Sequence, residues 1–94
     1  MRIITVNVNG LRSAAKKGFF SWLNASDADV VCLQEIKATH EQLIHDDFHC
    51  RGYQRFLYPA IKPGYSGVAI YTRFPPLKVN TGLGWDMADN EGRY

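Results

Sequence analysis

The sequence predicts a layered α/β fold, and its first 35 residues carry the main evidence. Residues 2–8 and 30–34 are rich in β-branched and apolar side chains, which favours buried strands. Residues 11–23 repeat apolar side chains at three- and four-residue steps, the spacing of one face of a helix. A strand, a helix and a strand within about 30 residues form a βαβ unit, whose two strands run parallel.

The helical segment separates its apolar residues from its basic ones. Arg12, Lys16 and Lys17 fall outside the apolar face, so they are expected in solvent. Gly18 weakens a helix by about 1 kcal/mol relative to alanine, which predicts a short break at this point. Asn24 is the predicted end of the helix. The apolar face consists of Leu11, Ala14, Ala15, Phe19, Trp22 and Leu23.

The second half of the chain is predicted to be richer in strands. Thr39 and Gln42 have the spacing of a capping box, which predicts a short helix from there to about Asp46. Pro59 and Gly64 lie in a loop. Further strands are predicted over 53–58, 67–73 and 77–83, followed by a turn-rich end over 84–94. Residues 1–94 therefore form one unit, either a small domain or a piece of a larger one.

The composition narrows the class of protein. The chain has 94 residues and a net charge of +2, which by itself neither favours nor excludes nucleic acid. Cys32 and Cys50 are too few for a disulfide framework, and two reduced thiols suit a cytosolic protein. No secretory leader and no apolar run near the roughly 20 residues of a membrane span appear. A cytoplasmic protein without a membrane span is expected.

Polar side chains stand where the two parallel strands end. Asn7 and Asn9 close the first strand, and Glu35 follows the second. Ligands of such sheets bind at the carboxyl ends of the strands, and Mg²⁺ prefers oxygen ligands with one or two carboxylates. The alternative is that the asparagines only form a turn and that Glu35 is an ordinary exposed charge. Spacing alone leaves both interpretations open.

Two further features suit a phosphate ligand but have plain structural alternatives. Arg12, Lys16, Lys17 and Lys37 lie near the same edge in sequence, and such residues make most protein contacts to phosphates. They equally fit an ordinary solvated helix face. The stretch "KPGYSGVA", residues 62–69, presents Tyr65 and Ser66 beside small glycines, as either a phosphate-binding loop or a loop with a packed tyrosine.

The segment 40–50 contains many side chains that bind metals. Their spacing matches no established zinc pattern, and the paired cysteine element is absent. Solvated histidines at helix ends are therefore expected here rather than a zinc site. The residues concerned are His40, His45, His49, Asp46, Asp47 and Cys50.

Four blocks in order give a resemblance to a known family. They are "NVNGLRS" (7–13), "DVVCLQEIK" (29–37), "GYSGVAIYTR" (64–73) and "NEGRY" (90–94). Together they resemble the exodeoxyribonuclease III family of abasic-site endonucleases, within the endonuclease/exonuclease/phosphatase superfamily. The resemblance implies an α/β (α+β) four-layered sandwich of two β-sheets flanked by helices, of which this chain is the N-terminal part. Such a part would leave one apolar sheet face exposed.

The resemblance also implies an activity. It implies an enzyme that depends on Mg²⁺, with Mn²⁺ as an alternative ion, and that cuts the DNA backbone 5′ to abasic sites. A 3′-to-5′ exonuclease activity is implied as well, on double-stranded DNA with abasic sites or 3′ ends and by a monomeric enzyme. The family's remaining active-site residues lie beyond the position of Tyr94, so the 94 residues alone are expected to be catalytically incomplete.

Site residues follow from the resemblance position by position. Glu35 and Asn7 match catalytic and metal-binding positions, and the "EGR" block with Glu91 and Arg93 is expected to be structural. Two alternatives stay open: another phosphodiesterase or phosphatase of the superfamily, acting on lipid or inositol phosphates, and a non-catalytic DNA-binding piece. The positions that match DNA contacts are Asn9, Arg12, Lys17, Lys37, Tyr65 and Gly67.

Overall fold

The computed structural model describes residues 1–62, 64–76, 79–81 and 90–93. Its centre is one mixed four-stranded sheet in the order β1-β2-β4-β3. The first two strands pair in parallel, which confirms the predicted βαβ unit, whereas β4 runs antiparallel to both of its neighbours. The strand predicted over 77–83 falls mostly outside the described residues. The strands are β1 Ile3–Asn7, β2 Val30–Gln34, β3 Gln54–Tyr58 and β4 Val68–Thr72.

The crossover between β1 and β2 consists of two short helices, α1 Leu11–Lys16 and α2 Phe19–Ala25. They are separated at Gly18, whose φ of 95° lies in the left-handed region. Glycine adopts this region without the steric cost that a side chain brings. The break predicted at Gly18 is therefore confirmed, and it lets each helix lay its own apolar side chains against the sheet.

The predicted capping box at Thr39 is confirmed. The Gln42 amide donates to Thr39 Oγ1 at 3.2 Å, and the Thr39 amide donates to Gln42 Oε1 at 3.0 Å. The predicted helix was wrong in type and length, since two 3₁₀ turns follow, Glu41–Leu43 and Asp46–Phe48. Aspartate and histidine are weak helix formers, and so short a segment does not offset the cost of nucleating an α-helix.

One face of the sheet carries the hydrophobic core. Both helices and the 3₁₀ segment contribute to it, and its largest members are almost fully buried. Two tyrosine hydroxyls anchor loops at the border of this core. Tyr71 Oη donates to the Phe48 carbonyl, and Tyr53 Oη donates to the Ala28 carbonyl, each at 2.6 Å. The largest buried side chains are Tyr71, Leu11, Leu23, Leu33, Ile36, Leu43 and Val31.

The opposite face of the sheet is more open. Successive strand residues point to opposite faces, and Ile3 and Ile70 on this side are 63% and 42% exposed. The pairing register aligns Thr5, Cys32, Ile70 and Phe56 in one row across the four strands. A half-sandwich was expected to leave one apolar sheet face exposed, and among the described residues Ile3 and Ile70 are the exposed large apolar side chains of this face. Among the described residues, no helix is long and apolar enough to cross a membrane.

Candidate metal and nucleic-acid site

The parallel pairing of β1 and β2 brings the polar strand ends together. Asn7 pairs in register with Gln34, so the residues that follow both strands emerge at one edge of the sheet. Asn7 Nδ2 donates a hydrogen bond to Glu35 Oε2, across 28 positions of sequence. The Asn9 amide in turn donates to Asn7 Oδ1 at 3.0 Å. The three polar residues of the predicted site thus form one hydrogen-bonded group.

Lys37 closes this group from the other side. Its Nζ donates to Asn9 Oδ1 at 2.6 Å and lies 3.5 Å from Glu35 Oε1. The side chains of Lys37 and Glu35 are 35% and 37% exposed, so solvent screens their attraction. The contact stabilises the fold little, but it fixes a positive charge beside the carboxylate.

The surroundings of Glu35 keep its side chain ionised. The pKa of this carboxyl lies below its usual value, mainly because Asn7 donates a hydrogen bond to it. Desolvation opposes that shift, and the positive charge of Lys37 adds to it. A carboxylate that stays negative at neutral pH and remains open to solvent is suited to binding a cation.

The backbone at this edge adopts an unusual conformation. Asn9, Glu35 and Lys37 have φ values of 46°, 56° and 51°, in the left-handed region. Asparagine tolerates this region, but glutamate and lysine rarely enter it, at a cost of about 1–3 kcal/mol each. Such residues cluster at functional sites. No sequence signal marked Glu35 or Lys37 as left-handed, because neither residue type favours that conformation.

Backbone hydrogen bonds hold the strained segment in place. The Gly10 amide donates to the Glu35 carbonyl at 2.8 Å, and the Leu11 amide donates to the Ile36 carbonyl at 2.9 Å. The turn after β1 and the turn after β2 are therefore joined directly. This pairing offsets part of the conformational cost and positions the side chains of both turns relative to one another.

The donor set of the edge fits a hard divalent cation. It offers one ionised carboxylate, on Glu35, with carboxamide groups beside it, and Mg²⁺ commonly binds one or two carboxylates while keeping several waters. Asn7 Oδ1, Asn9 Oδ1 and Glu35 Oε2 each accept a hydrogen bond, and Glu35 supplies the charged oxygen atoms that a cation would bind. In the part of the chain that the structure describes, no three His, Cys, Asp or Glu residues form a metal-binding group.

A basic groove lies directly beside the Glu35 group. Its volume is about 750 Å³, and it collects the positive charges of Arg12, Lys16 and Lys37. Arg12 Nη2 donates to the Lys37 carbonyl at 3.2 Å, which ties α1 to the turn that carries Glu35. Lys37 therefore belongs to both the groove and the carboxylate group. Asp47 adds one negative charge to the lining, so three cations face one carboxylate there. Other lining residues include Gly10, Ser13, Ser21, Phe20 and Gly64.

The helix cations do not all share that groove. Lys17 lines a second cleft of about 390 Å³, together with Asn9 and Trp22. This cleft is more apolar than the basic groove, and Val6 of β1 and the following Val8 are among the residues that line it. Lys17 therefore approaches the Asn9 side of the site, whereas Arg12 and Lys16 approach the Lys37 side.

Tyr65 is held in a charged cluster with the segment 90–93. Its Oη donates to Glu91 Oε1 at 3.2 Å and accepts from Arg93 Nη2 at 3.3 Å. Lys62 Nζ and the Arg93 guanidinium lie 5.4 and 5.8 Å from the centre of its ring. Hydrogen bonds to Tyr65 and Glu91 raise the pKa of Arg93. The cluster leaves Tyr65 40% exposed in a fixed orientation.

Gly67 lies deeper than its neighbours in the loop. It is buried, and its amide donates to the Glu91 carbonyl at 3.3 Å. The adjacent Ser66 is 4% exposed and has a φ of 49°. Of the residues matched to DNA contacts, Arg12, Lys37, Lys17, Asn9 and Tyr65 thus reach open grooves or the surface, whereas Gly67 is inside.

The chain is similar to known nucleases over nearly its whole length. Residues 4–94 match the model of the Endonuclease/Exonuclease/phosphatase family. The chain is 42% identical to an exodeoxyribonuclease of Bacillus subtilis, over 99% of this chain and 36% of the relative. It is 38% identical to the DNA repair nuclease APEX1 of Danio rerio, over 99% of this chain and 31% of that protein.

Solved structures show the same likeness. An AP endonuclease from Archaeoglobus fulgidus superposes with a TM-score of 0.78 at 31% identity, over 97% of this chain and 35% of that one. The chain thus spans about a third of the length of these three proteins. It belongs to the Endonuclease/Exonuclease/phosphatase family, which confirms the resemblance seen in its four sequence blocks.

Proposed function

We propose that this member of the Endonuclease/Exonuclease/phosphatase family forms part of a Mg²⁺-dependent DNA repair nuclease. The intact protein would hydrolyse the DNA backbone 5′ to abasic sites and degrade DNA from 3′ ends. One observation carries the proposal: the ionised Glu35 carboxylate stands at the strand edge directly beside a basic groove, and Lys37 belongs to both. The names of the similar exodeoxyribonuclease and DNA repair nuclease support the same reaction class.

Glu35 and Asn7 would hold the metal ion in this proposal. Glu35 supplies the charged oxygen ligand, and Asn7 orients that carboxylate through the hydrogen bond from Nδ2. When bound, Mg²⁺ would stabilise negative charge on the phosphate and on the leaving oxygen. Lys37 adds a smaller stabilisation of the ionised carboxylate to that from Asn7, and it contacts both Glu35 and Asn9.

The basic groove would bind the DNA backbone. Arg12, Lys16 and Lys37 line it, and such cations bind phosphates with an affinity that falls steeply with salt and depends little on base sequence. Lys17 and Asn9 would meet the backbone from the second cleft. Tyr65, oriented by Glu91 and Arg93, would offer a hydroxyl and an aromatic surface to the same duplex.

The proposed substrate sets the context of the protein. The partner is double-stranded DNA that carries abasic sites or 3′ ends, and the enzyme would act on it as a monomer. The proposed location is the cytoplasm, with nucleoid DNA as the substrate, and the similar exodeoxyribonuclease of Bacillus subtilis supports this setting.

Strand nicking tests the proposal. The intact protein would be incubated with a duplex carrying one abasic site, in Mg²⁺ and in EDTA, beside its Glu35→Gln variant. Nicking should require metal, and the variant should lower kcat about a thousandfold, because metal stabilisation of the transition state is worth several kcal/mol. DNA binding measured in EDTA should change little.

Glu41→Gln is the matched control, because Glu41 is an exposed carboxylate on the first 3₁₀ turn and lies outside the hydrogen-bonded group around Glu35. It should nick normally. Full nicking by Glu35→Gln would overturn the proposed metal role. Hydrolysis of inositol phosphates in preference to abasic DNA would assign the protein to another branch of the superfamily. If the protein binds DNA but shows no metal-dependent cleavage, it would instead be a non-catalytic DNA-binding module.

A further inference from the structure

The turn that carries Glu35 is anchored by a single inward side chain. Ile36 is 0% exposed, whereas Glu35 and Lys37 on either side of it are half-exposed and contact one another. Their left-handed φ values of 56° and 51° turn both polar side chains toward the site while Ile36 enters the core. The position of Glu35 therefore depends on how Ile36 is seated.

Gly67 provides the space in which Ile36 sits. A Cβ atom at Gly67 would lie 2.7 Å from Ile36 Cγ1 and 3.3 Å from Ile36 Cδ1 and from Pro59 Cα. The first distance is shorter than real side chains tolerate, so any residue larger than glycine would displace Ile36. The backbones also join here, since the Ile36 amide donates to the Gly67 carbonyl at 3.1 Å.

The rest of the turn leaves little room for that displacement. The Glu35 and Ile36 carbonyls accept bonds from the Gly10 and Leu11 amides, and the Lys37 amide donates to the Ser66 carbonyl at 2.8 Å. A shift of Ile36 therefore either breaks these bonds or moves the backbone of Glu35. Both outcomes disturb the hydrogen bond between Glu35 and Asn7 that orients the carboxylate.

We propose that Gly67 and Ile36 are positioning residues that set the metal affinity of Glu35. Because Gly67 has no side chain, Ile36 can pack against it. Ile36 in turn stabilises the left-handed turn that orients the Glu35 carboxylate. This inference rests on the proposed function, because it takes Glu35 as the metal ligand. The sequence resemblance implied that Gly67 contacts DNA. The inference gives this buried glycine a second role, which is to make room for Ile36 inside the protein.

The test measures Mn²⁺ binding to the intact protein by electron paramagnetic resonance. Gly67→Ala should weaken Mn²⁺ binding about tenfold or more, the effect usual for disturbing a group that orients a metal ligand. Gly52→Ala is the matched control, since Gly52 has a φ of 87° against 85° for Gly67, yet nothing lies within 4 Å of its added Cβ. The control should change the affinity less than about twofold, because it carries the backbone strain alone.

A second pair of variants keeps the test valid if Gly67→Ala fails to fold. Ile36→Ala removes both side-chain atoms that the new Cβ would meet. In that background, adding Gly67→Ala should leave Mn²⁺ affinity unchanged within about twofold. An equally large loss with and without Ile36 would overturn the inference, as would a Gly67→Ala protein that binds Mn²⁺ like the Gly52→Ala control.

Failure of the proposed function gives a different pattern. If the unmodified protein binds no Mn²⁺, or binds it equally well after Glu35→Gln, then the metal role of Glu35 is wrong. If binding depends on Glu35 but not on the contact between Gly67 and Ile36, only the positioning inference is wrong.

Discussion

Two segments of this chain are rich in side chains that bind metals, but only one of them forms a connected polar site. Segment 40–50 contains three histidines, a cysteine and two aspartates. However, no three His, Cys, Asp or Glu side chains of the described residues lie close enough together to bind one metal ion. At the strand edge, Asn7 and Glu35 are 28 positions apart and share a hydrogen bond.

The difference between the two segments comes from strand pairing rather than from ligand density. The parallel pairing of β1 and β2 places the ends of both strands at one edge, so distant residues meet there in a fixed geometry. Segment 40–50 consists largely of two short 3₁₀ turns, Glu41–Leu43 and Asp46–Phe48, and no strand pairing brings its residues together with distant ones. Its buried members serve the core, as Leu43 does, and burial raises the pKa of the Cys50 thiol.

The largest expected effect separates the two segments by Mn²⁺ affinity. Glu35→Gln in the intact protein should weaken Mn²⁺ binding at least about a hundredfold, because even a lost partner of a metal ligand costs 10–100-fold. Replacing His40, His45 and His49 together by alanine should change it less than about twofold. Isothermal titration of both variants decides the comparison. Loss of Mn²⁺ binding in the histidine variant would mean that segment 40–50 binds the metal, and the proposed site at Glu35 would be wrong.

A smaller effect is expected from Asn7, which acts through Glu35. Asn7→Ala removes the hydrogen bond that orients the carboxylate and lowers its pKa. Mn²⁺ affinity should fall about 10–100-fold, the range found for groups that orient metal ligands. Asn24→Ala, at an exposed position of α2, is the matched control and should bind normally. An Asn7→Ala protein with full affinity would show that Glu35 needs no partner.

The other segment should respond in stability instead. Thr39→Ala removes the capping-box bond from the Gln42 amide, and such a loss costs about 1 kcal/mol of unfolding free energy. Mn²⁺ affinity should remain unchanged. Chemical denaturation measures the effect, with Thr81→Ala as a control at an exposed position. A stable Thr39→Ala variant with altered metal binding would contradict the division between the two segments.

Local signals predicted the elements of this fold better than they predicted the site. The βαβ unit, the break at Gly18 and the capping box at Thr39 each depend on neighbouring residues, and each is present. The placement of β4 between β2 and β3 depends on long-range pairing and left no local signature.

The strained turn was hidden from the sequence for the same reason. Glu35 and Lys37 adopt left-handed backbones only because contacts from Gly10, Leu11 and Ser66 hold them there. The spacing of Asn7, Asn9 and Glu35 predicted that they meet, since parallel strands end together. It could not predict that Ile36 packs against Gly67 behind them, because that contact depends on how the loop after β2 packs against the loop between β3 and β4.

The smallest expected effect tests how much hydrogen bonding and how much nearby charge contribute to the lowered pKa of Glu35. Asn7 is the largest cause of its lowered pKa, while Lys37 and, more weakly, Arg93 act through their charge. Lys37→Met should therefore raise the pKa of Glu35 toward its usual value, but by less than Asn7→Ala does. Carbon-13 NMR titration of the Glu35 carboxyl, in the metal-free intact protein, measures both shifts.

The sign of the stability change follows from the same shift. A carboxyl whose pKa is lower in the folded state stabilises the fold above its unfolded pKa, and this contribution is lost as pH falls through the folded pKa. Lys37→Met should thus lose the contribution at a higher pH than the unmodified protein. Lys62→Met, which removes a cation near Tyr65 instead, should leave the Glu35 titration in place. A larger shift from Lys37→Met than from Asn7→Ala would mean that charge, and not the carboxamide, prepares Glu35 for a cation.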